Sequence, residues 1–200
     1  AREAEAAGAD IVGAEGMEAG GHRGAFAAER AEAQLVGLFS LLPAVVDAVK
    51  VPVVATGGVA DARGVAAALM LGASAVQVGT GFLRAPEAAI APAWADAIGR
   101  ATPEGTIATR AFSGRLGRSV ATAYARAANA PDSPRPAPYP VQRGLTQAMR
   151  DVAVKASDIE RMQAWSGQSG GLAPARPAGE IVRDLWEGAI ALIDPTAAKG

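Results

Sequence analysis

The first eighty residues predict an α/β fold built on a parallel sheet. Three observations carry that expectation. Short apolar runs recur at residues 9–14, 51–56 and 75–78. Each breaks at once into glycine, at Gly16, Gly57-Gly58 and Gly79. Segments with helical spacing lie between them. Strands that alternate with helices indicate right-handed βαβ units, hence parallel strands.

Taken in order, residues 2–7 read as the end of a helix, with Gly8 as its left-handed cap. A strand follows at 9–14. The stretch Glu15-Gly-Met-Glu-Ala-Gly-Gly-His-Arg-Gly24 then holds four glycines and the only histidine of the chain, His22. Residues 25–34 are alanine- and charge-rich and suit a lid-like loop or a helical turn. Ser40 offers a helix N-cap. Leu41, Leu42, Val45, Val46 and Val49 repeat at helical spacing, with Pro43 tolerated in the first turn. Residues 51–56 are nearly continuous in apolar character, as in strands of a parallel sheet buried on both faces. Asp61 caps a helix over 62–71 that Gly72 ends, and a strand follows at 75–78.

Beyond residue 82 the pattern changes. Residues 91–100 are helical and 106–110 have mild strand character. The segment 112–118 is basic and glycine-punctuated. Residues 131–140 carry five prolines, which excludes regular structure there. A helix is expected over 142–154 and a loop at 165–171. Residues 179–193 form an amphipathic helix with Ile181, Leu185, Ala189 and Leu192 on one face. The expected organisation is therefore 1–90 as βα units, 91–178 as an inserted, mostly helical substructure on the substrate side, and 179–200 as a closing helical segment.

Composition narrows the chemistry. With 50% hydrophobic residues a sizeable core is available, and a net charge of −1 with interspersed signs offers no nucleic-acid face. The absence of cysteine rules out disulfides and thiolate catalysis and fits a cytoplasmic enzyme. A single histidine rules out a histidine-rich metal site, and no metal is expected. No apolar run reaches the ~18 residues of a membrane span.

A glycine-rich loop after a strand, carrying one residue that titrates near neutrality, is a common way to build a site at a sheet's C-terminal edge. Gly57-Gly58 and Gly79-Thr80 end consecutive strands. Such turns form a phosphate cradle from backbone N–H groups in some α/β barrels, and are plain tight turns in others. Gly58 leaves room for a ligand, Thr80 adds a hydroxyl, and Gln77, polar in an apolar strand, needs a partner or a place at the site mouth. Arg23, Arg110, Arg115 and Arg118 suit either an anion or a solvated surface. Trp165 suits packing, while Ser166-Gly-Gln168 suits a ring or a phosphate. No G-x-G-x-x-G or Walker-type lysine motif is present.

These stretches also resemble a known family. Residues 15–24, Val51-Pro-Val-Val-Ala-Thr-Gly-Gly-Val-Ala-Asp61, Ala75-Val-Gln-Val-Gly-Thr-Gly-Phe-Leu83, Thr109-Arg-Ala-Phe-Ser-Gly-Arg115 and Trp165-Ser-Gly-Gln168 are together similar to the nitronate monooxygenases, also called 2-nitropropane dioxygenases. The resemblance implies the C-terminal part of a (β/α)8 TIM barrel, about three parallel strands, with the insertion beside an FMN site. It implies His22 as catalytic base, and Glu15, Gly20, Gly57, Gly58, Gln77, Val78, Gly79 and Thr80 as FMN-binding residues. Glu15 stands where many members carry glutamine. The implied reaction takes a nitronate, or a nitroalkane deprotonated by His22, and consumes O2 to give a carbonyl compound and nitrite. A homodimer is compatible with it, and no nucleic acid or membrane is involved. FMN-dependent enoyl-[acyl-carrier-protein] reductases carry a similar Glu-Gly-Met-Glu-Ala-Gly-Gly-His stretch and remain the alternative. A third reading is a non-catalytic protein that binds flavin or another phosphate ligand. Since a whole barrel takes about 250 residues, the chain is expected to be a fragment lacking the first five strands and to bind FMN poorly alone.

Overall fold

A computed structural model describes residues 1–194 and 196. Its parallel sheet runs in the order β1 (Val12–Glu15), β3 (Val53–Thr56), β4 (Ala75–Gln77). Val12 pairs with Val53 and Ala14 with Ala55, while Ala55 pairs with Val76 and Thr56 with Gln77. Neighbours in sequence are neighbours in the sheet, so the three βα turns that follow the strands share one edge.

Helices cover one face. Ala14, Val53 and Ala55 are buried there under Leu38 and Leu42 of α2 (Leu38–Val46) and Val65, Ala66 and Ala68 of α3 (Ala62–Met70). The opposite face is different. Gly13, Ala75 and Gln77 are exposed and Val54 and Thr56 half-buried. The expectation of burial on both faces is therefore not met in this chain, because among the described residues no layer covers the second face. The final helix, α8 (Ala178–Ile193), packs on α3. The close approach rests on small residues: a Cβ at Gly188 would lie 2.7 Å from the Cβ of Ala62. Residues 195 and 197–200 of the expected closing segment lie outside the described residues.

Local signals place most ends. Asp61 caps α3, its carboxylate accepting from Arg63 N at 3.0 Å and Gly64 N at 3.2 Å. Gly8 and Gly72 take φ of +92° and +97° just after α1 (Arg2–Ala6) and α3. α2 departs from expectation. It starts at Leu38, not after Ser40, with Gly37 at its N-cap and Pro43 inside. The reason is a cap from afar: both carboxylate oxygens of Glu18 accept from Leu38 N at 3.0 Å.

Residues 91–178 hold α4 (Pro92–Arg100), α5 (Ala123–Ala128), α6 (Val141–Leu145) and α7 (Gln147–Lys155). The single helix expected over 142–154 is thus two, separated at Thr146. This segment also supplies β5 (Thr106–Thr109) and β6 (Gly117–Val120) to a second, antiparallel sheet, completed by β2 (Gly21–His22) from the glycine loop. That pairing, between residues about a hundred positions apart, carries no local signal.

Candidate active site

β2 is a two-residue strand that exists because β6 receives it, with Gly21 opposite Arg118 and His22 opposite Gly117. Gly117 has to be glycine: a Cβ would sit 2.8 Å from Gly21 O and 3.0 Å from the Trp165 ring. The imidazole of His22 is thereby presented to three groups. Its Nε2 lies 2.7 Å from Ser113 Oγ. Trp165 and Tyr139 meet the ring edge-on, with centroids at 5.1 and 5.9 Å. Ser113 is fully buried. It precedes Gly114, whose φ of +82° and missing Cβ let the turn sit against the backbone of residues 137–139, which delivers Tyr139. Partial burial, then the positive charges of Arg115 and Arg143, hold the His22 pKa below its ordinary 6.5. The ring is accordingly neutral at pH 7.

A second feature lies along the same sheet edge. A cavity of about 60 Å³ is lined by Gly20 from the β1 loop, Gly57 and Gly58 from the β3 turn, and Gln77, Gly79 and Thr80 from the end of β4. Gly167 and Ser169 close it. The N–H groups of Gly58, Gly79 and Thr80 donate no hydrogen bond among the described residues. The Thr80 hydroxyl accepts from Gly167 N at 3.0 Å and keeps its own proton to give. Gly57 and Gly58 both have positive φ (+96° and +73°), which admits glycine and disfavours side chains. Unpaired N–H groups and one hydroxyl around a small cavity fit a phosphate or another small anion.

The histidine and the cavity are joined by the chain itself. Gly20 precedes β2. The 165–168 segment carries Trp165 at the imidazole and Gly167 at Thr80. A Cβ at Gly20 would lie 2.5 Å from Gly167 N, so that contact depends on glycine.

Six of the nine anticipated residues line the cavity, and His22 stands beside it in the chain. The other two sit elsewhere. Val78 packs its side chain on the core. Glu15 pairs with Arg23 at 3.3 Å and accepts from Gly24 N at 2.9 Å, which braces the loop. Two of the four arginines, Arg23 and Arg118, correct the sequence reading, since neither proposed role describes a buried guanidinium bonded to carbonyls. Arg23 and Arg118 are buried; Arg23 donates to the carbonyls of Gly16 and Glu15, and Arg118 to that of Met17. Arg115 donates to Arg23 O, and Arg110 pairs with Glu32. Each guanidinium ties loop backbone or a neighbouring carboxylate. Ser113 and Tyr139 were not anticipated beside His22. The Thr109–Arg115 motif pointed at the region but not at the contact.

A family model described as nitronate monooxygenase matches residues 1–188. The chain belongs to the nitronate monooxygenase family. A protein named as a probable nitronate monooxygenase from Staphylococcus aureus (strain MSSA476) is 40% identical over 181 residues, covering 90% of this chain and 51% of the relative. Nitroalkane oxidase from Streptomyces ansochromogenes superposes with a TM-score of 0.87 at 40% identity, over 98% of this chain and 55% of that one. FabK from Thermotoga maritima follows at 0.78 and 34%, over 98% of this chain and 59% of that one. This family member spans about half the length of the curated relatives it matches. The open inner face of its sheet agrees with that. Among the described residues no helix is long and apolar enough to cross a membrane.

Proposed function

We propose that this chain carries the base and the cofactor-phosphate cradle of an FMN-dependent nitronate monooxygenase, one that oxidises nitronates and nitroalkanes with O2 to a carbonyl compound and nitrite. The observation that carries the reading is the shared sheet edge: a neutral, half-buried imidazole on the loop after β1, and a small cavity in the turns after β3 and β4 among whose lining residues Gly58, Gly79 and Thr80 have unpaired N–H groups.

The donor set fits a flavin phosphate. Gly58, Gly79 and Thr80 would hold it by N–H groups and Thr80 also by its hydroxyl, with Gln77 at the rim. FMN, when bound, supplies the redox chemistry. The chain's own part is acid–base and steric. His22 is neutral at pH 7 and has a lone pair with which to take the α-proton of a nitroalkane. Trp165 and Tyr139 pack edge-on against the ring and restrict its plane.

Replacement of His22 by asparagine tests this in the intact protein. With a neutral nitroalkane, kcat/KM is expected to fall by roughly 10² or more, whereas a preformed nitronate, already deprotonated, is turned over nearly as before. Since the His22 pKa lies below 6.5, wild-type activity on the neutral substrate is expected to persist below that pH and to fall only in more acid buffer. Wild-type turnover of neutral nitroalkane by H22N removes the base from this account. The resemblance of the Glu15–His22 stretch to FMN-dependent enoyl-[acyl-carrier-protein] reductases sustains that reduction as the alternative. Oxygen uptake with propionate 3-nitronate supports the first activity, and NADH oxidation with an enoyl thioester the second.

A further inference from the structure

The His22–Ser113 contact holds more information than proximity. Ser113 Oγ has three polar neighbours: His22 Nε2 at 2.7 Å, Arg115 N at 3.3 Å and Arg115 O at 3.2 Å. A hydroxyl has one proton and two lone pairs. If the proton goes to Arg115 O, both lone pairs accept, one from Arg115 N–H and one from an Nε2–H. All three contacts are then hydrogen bonds. If the proton goes to His22 Nε2, the bond to Arg115 O is lost, and the imidazole must carry its proton on Nδ1. Ser113 is fully buried, so the arrangement that leaves no bond unmade is favoured by the cost of an unsatisfied buried group. His22 Nδ1 has no hydrogen-bond partner among the described residues.

We propose that Ser113 is a positioning residue that holds His22 as the Nε2–H tautomer, leaving the Nδ1 lone pair as the base. The proposal rests on the reading of His22 as base and adds which nitrogen acts and what selects it. In the step itself the substrate Cα–H bond breaks, the proton passes to Nδ1, and the electron pair stays on the substrate as the nitronate. The resulting imidazolium keeps its Nε2–H bond to Ser113. The opposite tautomer would have a proton on Nδ1 and its Nε2 lone pair occupied by the Ser113 hydroxyl, so neither nitrogen could accept. Arg115 and Arg143, the charged groups that act on the ring, favour its neutral form; the direct hydrogen-bond contact to a ring nitrogen is Ser113's.

The test is nitrogen NMR of the protein with 15N-labelled histidine, the His22 signals being those lost in H22N, alongside kinetics of S113A and S113T. The expected result at neutral pH is an Nε2–H signature in the wild type and a shift towards mixed tautomers in S113A. S113A should lose roughly tenfold or more in kcat/KM on a neutral nitroalkane, with less than about a twofold change on the preformed nitronate, and S113T should restore both readouts. An Nδ1–H tautomer in the wild type overturns the proposal, as does an S113A protein with unchanged tautomer and rate. The wild-type spectrum decides even if S113A fails to fold. The NMR result is independent of turnover, so it separates failure of the tautomer assignment from failure of the base assignment, which H22N alone decides.

Discussion

Gly20 shows how much one missing Cβ can hold in place. An added methyl would meet Gly167 N at 2.5 Å, the Ser166 carbonyl carbon at 2.6 Å and Thr80 Oγ1 at 2.9 Å. Two of these are backbone atoms of the segment that closes the cavity and cannot swing aside. Gly20→Ala is therefore expected to cost about 1–3 kcal/mol, read by chemical denaturation, and to weaken flavin binding by breaking the Gly167–Thr80 hydrogen bond. Gly144→Ala is the control of opposite sign. Nothing lies within 4 Å of its Cβ position, and it sits in helix α6, so it should stabilise by about 0.5–1 kcal/mol. At this scale the sequence announces residue types but not partners. The glycines and the sole histidine draw attention to the loop after β1 and the turns after β3 and β4, where the structure places them on one sheet edge. Ser113 is one serine among several until the turn between β5 and β6 brings it to within 2.7 Å of the imidazole. The same holds for Arg23 and Arg118, whose buried bonds to carbonyls belong to loop geometry that composition does not encode.

Elements were legible where their signal is local and obscure where it is tertiary. The cap at Asp61 needs only residues 61–64, and the structure puts it where the sequence does. Asp61→Ala should cost about 1 kcal/mol in urea unfolding at neutral pH, while Asp61→Asn, an equally good cap, should retain most of it. The Arg63 side chain bonded to it, then the backbone N–H groups, hold the Asp61 carboxyl below its ordinary 3.8. Its contribution is thus fully present above that value and lost as the pH falls through the lower, folded one. The asparagine variant should lack that acid limb. The start of α2 is the contrast. Ser40 is a sound local cap, yet Glu18, twenty residues earlier, reaches Leu38 N first, and the helix gains a turn that no window on 38–46 would reveal. Of the β2–β6–β5 sheet only β5 is legible, in the strand character of residues 106–110; β2 has two residues and no alternation to read, and its pairing with β6 is tertiary.

At the scale of the molecule, the strands and glycine turns of the first eighty residues identify a parallel sheet with helices on one side and, among the described residues, no layer on the other. Both edges, β1 and β4, lack a parallel neighbour among the described residues. Ile11 beside the β1 edge is 58% exposed. Open strand edges recruit other chains. On the proposed reading, the cavity in the turns after β3 and β4 would be only one wall of a flavin site, since among the described residues nothing covers the second face of the sheet to hold a ring system. Roughly half of each matched relative lies outside the part this chain covers. The 200 residues alone are therefore expected to self-associate as concentration rises, seen by light scattering, and to bind FMN more weakly than micromolar, seen by flavin fluorescence. Joined to the part of Streptomyces ansochromogenes nitroalkane oxidase that this chain does not match, the same residues should stay dispersed and take up FMN. Micromolar or tighter binding by the 200 residues alone would mean that the walls present suffice, and that the missing neighbours of β1 and β4 contribute little to the flavin.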